Sequence, residues 1–285
     1  MHMEKIIVPP LKIQGIKTKL VPWIDDFLTD KAICRSDLRW VEPFFGSGVV
    51  GFNVGQRFNS HYISDKNPHI IQFYEMLRCG VISRQTLETM FGIYASQLKE
   101  RGDDFYKEIR TAFNTSHDPS NFLFLSRCCF NGLMRFNKKG EFNVPFCKKP
   151  DRLRSAYITK ILNQIDAVQR VMKVSEWTFS PKDFRTVIAE TDENDFIYCD
   201  PPYHGRFVDY YGGWTENDEA DLYNLLSNTK AKFILSTWHH NDYRKNEMID
   251  KFWKDCNIMT REHTYQVGAK EENRKPVVEA LLSNF

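Results

Sequence analysis

Short apolar segments that end in polar residues alternate with helix-like segments in both halves of the chain. Residues 38–41 and 60–65 have strand-like patterns, and the segment from Val49 onward favours a helix between them. The second half repeats this alternation, with apolar segments at 196–199 and 232–238. Strands that alternate with helices typically form a parallel sheet covered by helices, so the sequence predicts a doubly wound α/β fold.

The pattern between residues 67 and 127 is helical instead. Phe105, Ile109 and Phe113 recur at four-residue spacing, which places them on one helical face. Asp118 or Ser120 has the side-chain chemistry of a helix N-cap for the next helix. We expect the Phe-rich helices of this segment to supply core rather than a binding surface, and we expect Ser155 to cap the helix that follows the segment.

A β-hairpin is predicted next to these helices. Residues 135–137 and 141–144 alternate on either side of Lys138-Lys139-Gly140, which is a turn sequence that contains glycine. The helices and the hairpin interrupt the strand and helix alternation of the sheet. We therefore predict a catalytic domain formed by residues 4–66 and 151–285, with residues 67–150 as a helical and hairpin insertion.

Composition and charge narrow the class of protein. The 285 residues are 42% hydrophobic and 27% charged, which is ordinary for a globular protein, and no apolar run reaches the ~18 residues of a membrane span. The seven cysteines include no C-x-x-C pair, so a reducing, cytoplasmic setting and no metal site are expected. Residues 135–154 contain seven Lys and Arg but two acids, a net charge of +5. Such a segment favours a polyanionic partner, although a solvated loop has the same pattern.

The stretch "EPFFGSG" has the glycines that let a backbone approach a ligand closely. Gly46 and Gly48 precede the predicted helix, and Asp65 ends the next strand 17 residues beyond Gly48. An acid near that spacing commonly binds ribose hydroxyls. Residues 46–51 also match G-x-G-x-x-G, so a dinucleotide site and a simple packing turn are both alternatives.

The stretch "IYCDPPYHG" ends a second strand abruptly. Its two prolines cannot continue a sheet ladder, and ligands of open α/β sheets bind at the carboxyl edge of the strands. Asp200 and the carbonyl of Pro201 can accept hydrogen bonds from an exocyclic amine of a nucleobase, while Tyr203 can stack on the base. Such hydrogen bonds localise the nitrogen lone pair and make the amine a better nucleophile. A base treated in this way must leave the duplex.

Four stretches together carry a family resemblance: "LKIQGIKTKL", "VEPFFGSG", "CFNGLMRFNKKGEFNVPF" and "DPPY". In this order, over nearly the whole length, the chain resembles the Dam-type (D12 class) DNA N6-adenine methyltransferases of type II and IIS restriction-modification systems. The resemblance implies a Rossmann-like methyltransferase sheet with an inserted target-recognition domain at residues 67–150. It also implies S-adenosyl-L-methionine as the cofactor and double-stranded DNA as the substrate.

The resemblance also assigns roles to individual residues. It places the target amine at Asp200, Pro201 and Tyr203. It places the cofactor at Lys17, Gly46, Gly48, Asp65, Asp183 and Phe184. It places DNA at Lys12, Phe130, Asn131, Leu133 and Arg135, and the basic turn adds Lys138 and Lys139. Within this set, Arg135 can address a guanine with two hydrogen bonds, and Leu133 or Met134 can fill the space that a flipped base leaves.

Some positions depart from the family pattern and leave alternatives open. Ile13 stands where the family has tryptophan, which puts its cofactor contact in question. The segment after "DPPY" resembles enzymes that read asymmetric sites, so GATC is one candidate sequence among several. The rival functions are cytosine-N4 methylation, a catalytically silent DNA-binding regulator and a nicotinamide dehydrogenase. The dehydrogenase leaves "DPPY" without a role. A cognate restriction endonuclease is a possible partner that needs no physical contact.

Two further groups of residues are weaker candidates. Trp238, His239 and Asp242 follow an apolar strand and are predicted at the same sheet edge, where they can line the pocket. Lys270, Arg274 and Lys275 are predicted to lie near phosphate.

Overall fold

The structure is a computed structural model that describes residues 5–33, 37–203, 213–264 and 276–285. These residues form a seven-stranded sheet in the order β3-β2-β1-β4-β5-β7-β6. The strands are β1 (Arg39–Glu42), β2 (Ser60–Ser64), β3 (Glu176–Ser180), β4 (Asp195–Cys199), β5 (Lys232–His240), β6 (Asn257–Thr264) and β7 (Pro276–Ser283).

The first five strands are parallel, and β7 is antiparallel to both β5 and β6. The order reverses between β1 and β4, which is the switch point at which doubly wound sheets bind ligands. The predicted doubly wound α/β fold is confirmed.

Two apolar layers cover the sheet, because successive residues of a strand point to opposite faces. Trp40, Phe196 and Ile234 lie in one buried cluster. Their neighbours in sequence, Val41, Ile197 and Leu235, lie in the other. Both faces are therefore closed, and ligands reach the sheet at its edge.

Eight α-helices are assigned within the described residues. They are α1 (Val21–Asp30), α2 (Pro68–Arg78), α3 (Arg84–Arg101), α4 (Asp103–Ser116), α5 (Pro119–Cys128), α6 (Ser155–Lys173), α7 (Phe184–Ala189) and α8 (Glu216–Asn228). Asp118 caps α5 as predicted, with its side chain accepting from the Asn121 N–H. Ser155 is instead the first residue of α6, whose N-cap is Arg154.

The helix predicted from Val49 onward is wrong. The chain there forms turns followed by a short 3₁₀ helix, Gly55–Arg57. The side-chain amide of Asn53 donates to the carbonyl of Val49 at 2.7 Å and to that of Ile7 at 2.8 Å. These side-chain bonds, one local and one to the distant Ile7, compete with a regular helix, as do Gly51 and Gly55.

The predicted hairpin is present as a tight turn with one bridge pair, Phe136 and Phe142. It is fixed on α4, because Asn114 exchanges two hydrogen bonds with the backbone of Phe142, at 2.8 and 3.2 Å. Phe105 and Phe113 of α4 are buried as expected, in the same cluster as Trp40 of the sheet. The orientation of the hairpin is therefore set by a helix that itself packs into the common core.

Two further findings concern the whole described region. The six cysteines within it are free thiols. No helix among the described residues is both long and apolar enough to cross a bilayer.

Candidate active site

The glycine loop after β1 is tied to the end of β2 by Asp65. The carboxylate of Asp65 accepts a hydrogen bond from the Gly46 N–H and another from the Asn67 N–H, both at 2.8 Å. Burial raises the pKa of Asp65 to about 6, although these two hydrogen bonds act against the shift. The structure thus brings Gly46 and Asp65 together, as the sequence predicted.

The two predicted loop glycines differ in their surroundings. Both have a positive φ, 50° at Gly46 and 76° at Gly48. A Cβ atom at Gly48 would lie 2.4 Å from the ring of Phe45 and 2.7 Å from that of Phe52, whereas a Cβ atom at Gly46 would meet nothing within 4 Å. Gly48 is therefore required for packing, and the open space of the loop lies beside Gly46.

The target-amine residues lie at the end of β4 and are joined there by Lys17. The Nζ atom of Lys17 lies 3.0 Å from Oδ1 of Asp200, in a pair whose side chains are 8% and 18% exposed. The same Nζ atom lies 4.6 Å from the centre of the Tyr203 ring. Lys17, predicted on the cofactor side, is thus in direct contact with two of the three target-amine residues.

The charge state of Asp200 depends on this contact. Burial raises the pKa of Asp200, the positive charge of Lys17 opposes the shift, and the nearby carboxylate of Glu279 adds to it. An ionised carboxylate is a stronger hydrogen-bond acceptor than a protonated carboxyl group. Lys17 is therefore placed to favour the form of Asp200 that accepts more strongly.

Asp183 and Phe184 begin α7, beside an aromatic cluster. Asp183 caps this helix by accepting from the Arg185 N–H at 3.0 Å. The ring of Phe184 stacks on that of Phe44 with centroids 5.2 Å apart, and Trp214 contacts both rings, at 5.4 and 5.6 Å. Phe184 thus joins Phe44, which follows β1, in one apolar wall.

Two buried acids near this edge were missed by the sequence analysis. Glu42 ends β1, accepts from the indole N–H of Trp40 at 2.9 Å, and has a raised pKa because it is buried. Glu279 lies in β7 and accepts from the hydroxyl of Tyr203 at 2.7 Å. An acid that directly follows apolar strand residues, as in "WVE" and "VVEALL", is the sequence pattern that can identify both residues.

The predicted DNA contacts begin where the N-terminal segment meets the base of the hairpin. Lys12 packs against Gly132, since a Cβ atom at Gly132 would lie 3.1 Å from Cγ of Lys12. Burial lowers the pKa of Lys12, and the charge of Arg152 lowers it further. Asn131 has a left-handed backbone with φ of 54° and is exposed. Lys12 and Asn131 are therefore brought to one place although they are distant in sequence.

The remaining predicted DNA contacts lie along the hairpin. Arg135 donates from Nε to Oδ1 of Asn143 at 2.8 Å, within the hairpin itself. Lys138 and Lys139 are exposed at its tip. Leu133 is half-buried, whereas Met134 is 4% exposed and belongs to the core. Of the two candidates for the space of a flipped base, Leu133 is therefore favoured, because the side chain of Met134 is already enclosed by protein.

The weaker candidates Trp238, His239 and Asp242 lie at the end of β5 and directly after it. Trp238 is buried in β5, and the rings of His239 and His240 contact each other through Nδ1 atoms 2.7 Å apart. Lys270, Arg274 and Lys275 lie outside the described residues. Within the described ranges, no group of three or more His, Cys, Asp or Glu side chains is arranged to hold a metal ion.

Comparison with known proteins shows to which family the chain belongs. The model of the D12 class N6 adenine-specific DNA methyltransferases matches residues 14–267. The type II methyltransferase M.MjaIII of Methanocaldococcus jannaschii is 28% identical, over 98% of this chain and 99% of its own. The DNA adenine methylase of Haemophilus influenzae is 32% identical, over 83% of this chain and 81% of its own. A solved magnesium protoporphyrin IX methyltransferase from Synechocystis PCC 6803 aligns with 93% of this chain and 82% of its own at a TM-score of 0.40 and 12% identity. The chain belongs to the D12 class of N6 adenine-specific DNA methyltransferases, whose cofactor is S-adenosyl-L-methionine.

Proposed function

We propose that this enzyme methylates N6 of an adenine that has been rotated out of duplex DNA into the site at the end of β4. The observation that carries the proposal is the cluster formed by Lys17, Asp200 and Tyr203 at the end of β4, while the open space beside Gly46 follows the neighbouring strand β1. An amine acceptor, an aromatic ring and a ligand loop meet at the switch point of the sheet. This combination suits a base and a cofactor that must approach each other.

The residues of the first half of the sheet fit the cofactor. Asp65 is a carboxylate with the chemistry to accept from ribose hydroxyls, and the rings of Phe44 and Phe184 offer an apolar surface to an adenine. Gly46 leaves the backbone approachable. When bound, S-adenosyl-L-methionine supplies an electrophilic methyl group on its sulfonium. Lys17, Gly46, Gly48, Asp65, Asp183 and Phe184 are the proposed cofactor residues, with Gly48 acting through packing.

Asp200 and the carbonyl of Pro201 accept hydrogen bonds from the two N–H groups of the adenine amine. These bonds would localise the lone pair on N6, the nucleophile toward the methyl carbon that the bound cofactor would supply as its thioether leaves, and Asp200 or water would take the surplus proton from N6. Tyr203 stacks on the base, and Lys17 keeps Asp200 ionised by its positive charge. No covalent intermediate with the protein is formed.

The hairpin and the N-terminal segment form the DNA-binding face. Lys138 and Lys139 neutralise phosphates, whereas Lys12, Asn131 and Arg135 address bases. Leu133 fills the space that the flipped adenine leaves. In this proposal, residues 67–150 recognise the target, and residues 4–66 with 151–285 perform the transfer.

The biological role follows from the kind of relatives. We propose that methylation protects one DNA sequence against a restriction endonuclease, which need not touch this protein because the two enzymes share only a site on DNA. The cytoplasm is the proposed compartment, since the substrate is DNA.

The experiment is methylation of plasmid DNA with labelled S-adenosyl-L-methionine, followed by single-molecule sequencing. N6-methyladenine at one motif is expected, and Asp200→Asn is expected to abolish it while cofactor binding persists. N4-methylcytosine would contradict the proposal. Cofactor binding without transfer by the wild-type enzyme would favour a silent DNA-binding regulator.

A further inference from the structure

An acidic residue lies in the interior of the sheet, within hydrogen-bond distance of one of the target-amine residues. Glu279 is fully buried in β7, where its register partners are Trp238 of β5 and Arg261 of β6. The residues on its C-terminal side, Ala280 to Leu282, are buried and apolar. Placing a carboxylate at such a position costs free energy unless hydrogen bonds compensate it.

The hydrogen bond that Glu279 accepts leads into the active site. The hydroxyl of Tyr203 donates to Oε2 of Glu279 at 2.7 Å. The bond therefore joins β7, at the far side of β5, to the aromatic ring that follows the two prolines.

This bond fixes the plane of the Tyr203 ring. The ring is attached to the backbone after the stiff segment Pro201-Pro202, and its opposite end is held by Glu279. One face of the ring lies over the Nζ atom of Lys17, 4.6 Å from the centroid. An aromatic ring held at both ends cannot tilt freely, so a base that stacks on it is held in one orientation.

We infer that Glu279 is a positioning residue for methyl transfer, which holds the Tyr203 ring in the plane on which the target base stacks. The inference rests on the proposed role of Tyr203 in stacking. Glu279 touches neither base nor cofactor in this scheme and acts through the tyrosine hydroxyl. Loss of the bond allows the ring to tilt, and the amine is then presented less often in line with the methyl group.

The test compares five variants in single-turnover methylation of a duplex that carries the target site. Glu279→Leu replaces the acceptor by an apolar side chain of similar size, and Tyr203→Phe removes the donor but keeps the ring. Each is expected to lower the single-turnover rate about tenfold or more, with cofactor affinity within about twofold of wild type. Glu279→Gln retains an acceptor oxygen and is expected to recover most of the rate. The double variant Glu279→Leu/Tyr203→Phe is expected to be no slower than either single variant, because both remove the same bond.

A purely structural role gives a different pattern. If Glu279→Leu methylates at the wild-type rate, or if the losses in Glu279→Leu and Tyr203→Phe multiply in the double variant, the inference is overturned. Tyr203→Ala separates this result from failure of the underlying proposal. A wild-type rate in Tyr203→Ala would remove the stacking role itself, whereas a large loss there combined with a normal rate in Glu279→Leu would remove only the role of Glu279. Urea unfolding of each variant verifies that the rates compare folded proteins.

Discussion

Gly46 and Gly48 form a matched pair of positions at which one added methyl group is expected to affect different properties. At Gly48 it lowers the free energy of unfolding, and at Gly46 it mainly weakens cofactor binding. At both positions the positive φ disfavours alanine by about 1–2 kcal/mol. At Gly48 the added Cβ atom would also lie 2.4 and 2.7 Å from the rings of Phe45 and Phe52. Those rings are 3% and 0% exposed and pack edge-to-face against each other, so neither has free space to move into.

Overpacking of this kind typically costs about 1–3 kcal/mol, so Gly48→Ala is expected to lower the free energy of unfolding by about 2–5 kcal/mol in total. Gly46→Ala carries only the backbone penalty, because no atom lies within 4 Å of its added Cβ. Its methyl group instead enters the open space of the loop. We expect Gly46→Ala to weaken the binding of S-adenosyl-L-methionine more than it weakens the fold.

The assay is urea unfolding followed by fluorescence, with the free energy obtained by linear extrapolation, and cofactor titration by calorimetry on the same preparations. The expected result is a midpoint clearly lower for Gly48→Ala than for Gly46→Ala. Equal stability of the two variants would refute the reasoning, because it would mean that the contacts of Phe45 and Phe52 place no limit on the loop. Full cofactor affinity in Gly46→Ala would show that the space beside Gly46 is not used.

Three further predictions concern the cofactor, the basic turn and the base of the hairpin. Asp65 has a pKa of about 6, and its ionised form accepts hydrogen bonds from ribose hydroxyls more strongly than its protonated form, so cofactor affinity measured by calorimetry is expected to be constant above pH 7 and to fall up to about tenfold per unit below pH 6. An equally steep fall in Asp65→Asn would contradict this. Lys138→Ala is expected to reduce the slope of the logarithm of the DNA-binding constant against the logarithm of salt concentration by about 1, whereas the exposed control Lys230→Ala leaves that slope unchanged. Equal slopes in both variants would argue against phosphate binding by the basic turn. Met134→Ala is expected to lower the free energy of unfolding by about 2–5 kcal/mol, because it leaves a cavity in the core. Leu133→Ala is expected mainly to reduce the rise in fluorescence of 2-aminopurine placed at the target position, which reports base flipping; the reverse pattern would exchange the two roles.

Much of the site could be predicted because it lies where strands end. Asp65 and Asp200 directly follow β2 and β4, two parallel strands on either side of β1. The carboxyl ends of parallel strands meet at one edge, so an apolar run that ends in an acid indicates both the element and the edge. The hairpin was predictable for a similar local reason, since alternation around a glycine-containing turn needs no distant partner.

The sequence was least informative where side-chain hydrogen bonds, backbone conformation or packing override local propensity. The segment after Gly48 has the pattern of a helix start, but the Asn53 amide takes the Val49 carbonyl and reaches back to Ile7. Ser155 has the chemistry of a cap, yet the backbone before it places Arg154 at that position. Met134 and Leu133 are both apolar in sequence, and only packing buries Met134.

The sequence by itself determined the class of fold, the order of the motifs and the acids at the strand ends, because each depends on neighbours along the chain. Only the tertiary structure decided that Lys17 pairs with Asp200 and that Glu279 holds Tyr203, which lies 76 residues away in sequence. It also decided that Gly48 is closed by two rings while Gly46 is open. The physical reason is that hydrophobic periodicity along the chain shows which face of a helix or strand is buried. It does not show which side chains lie against that face, because these depend on the strand order β4-β5-β7 and on the loops that return to the same edge of the sheet.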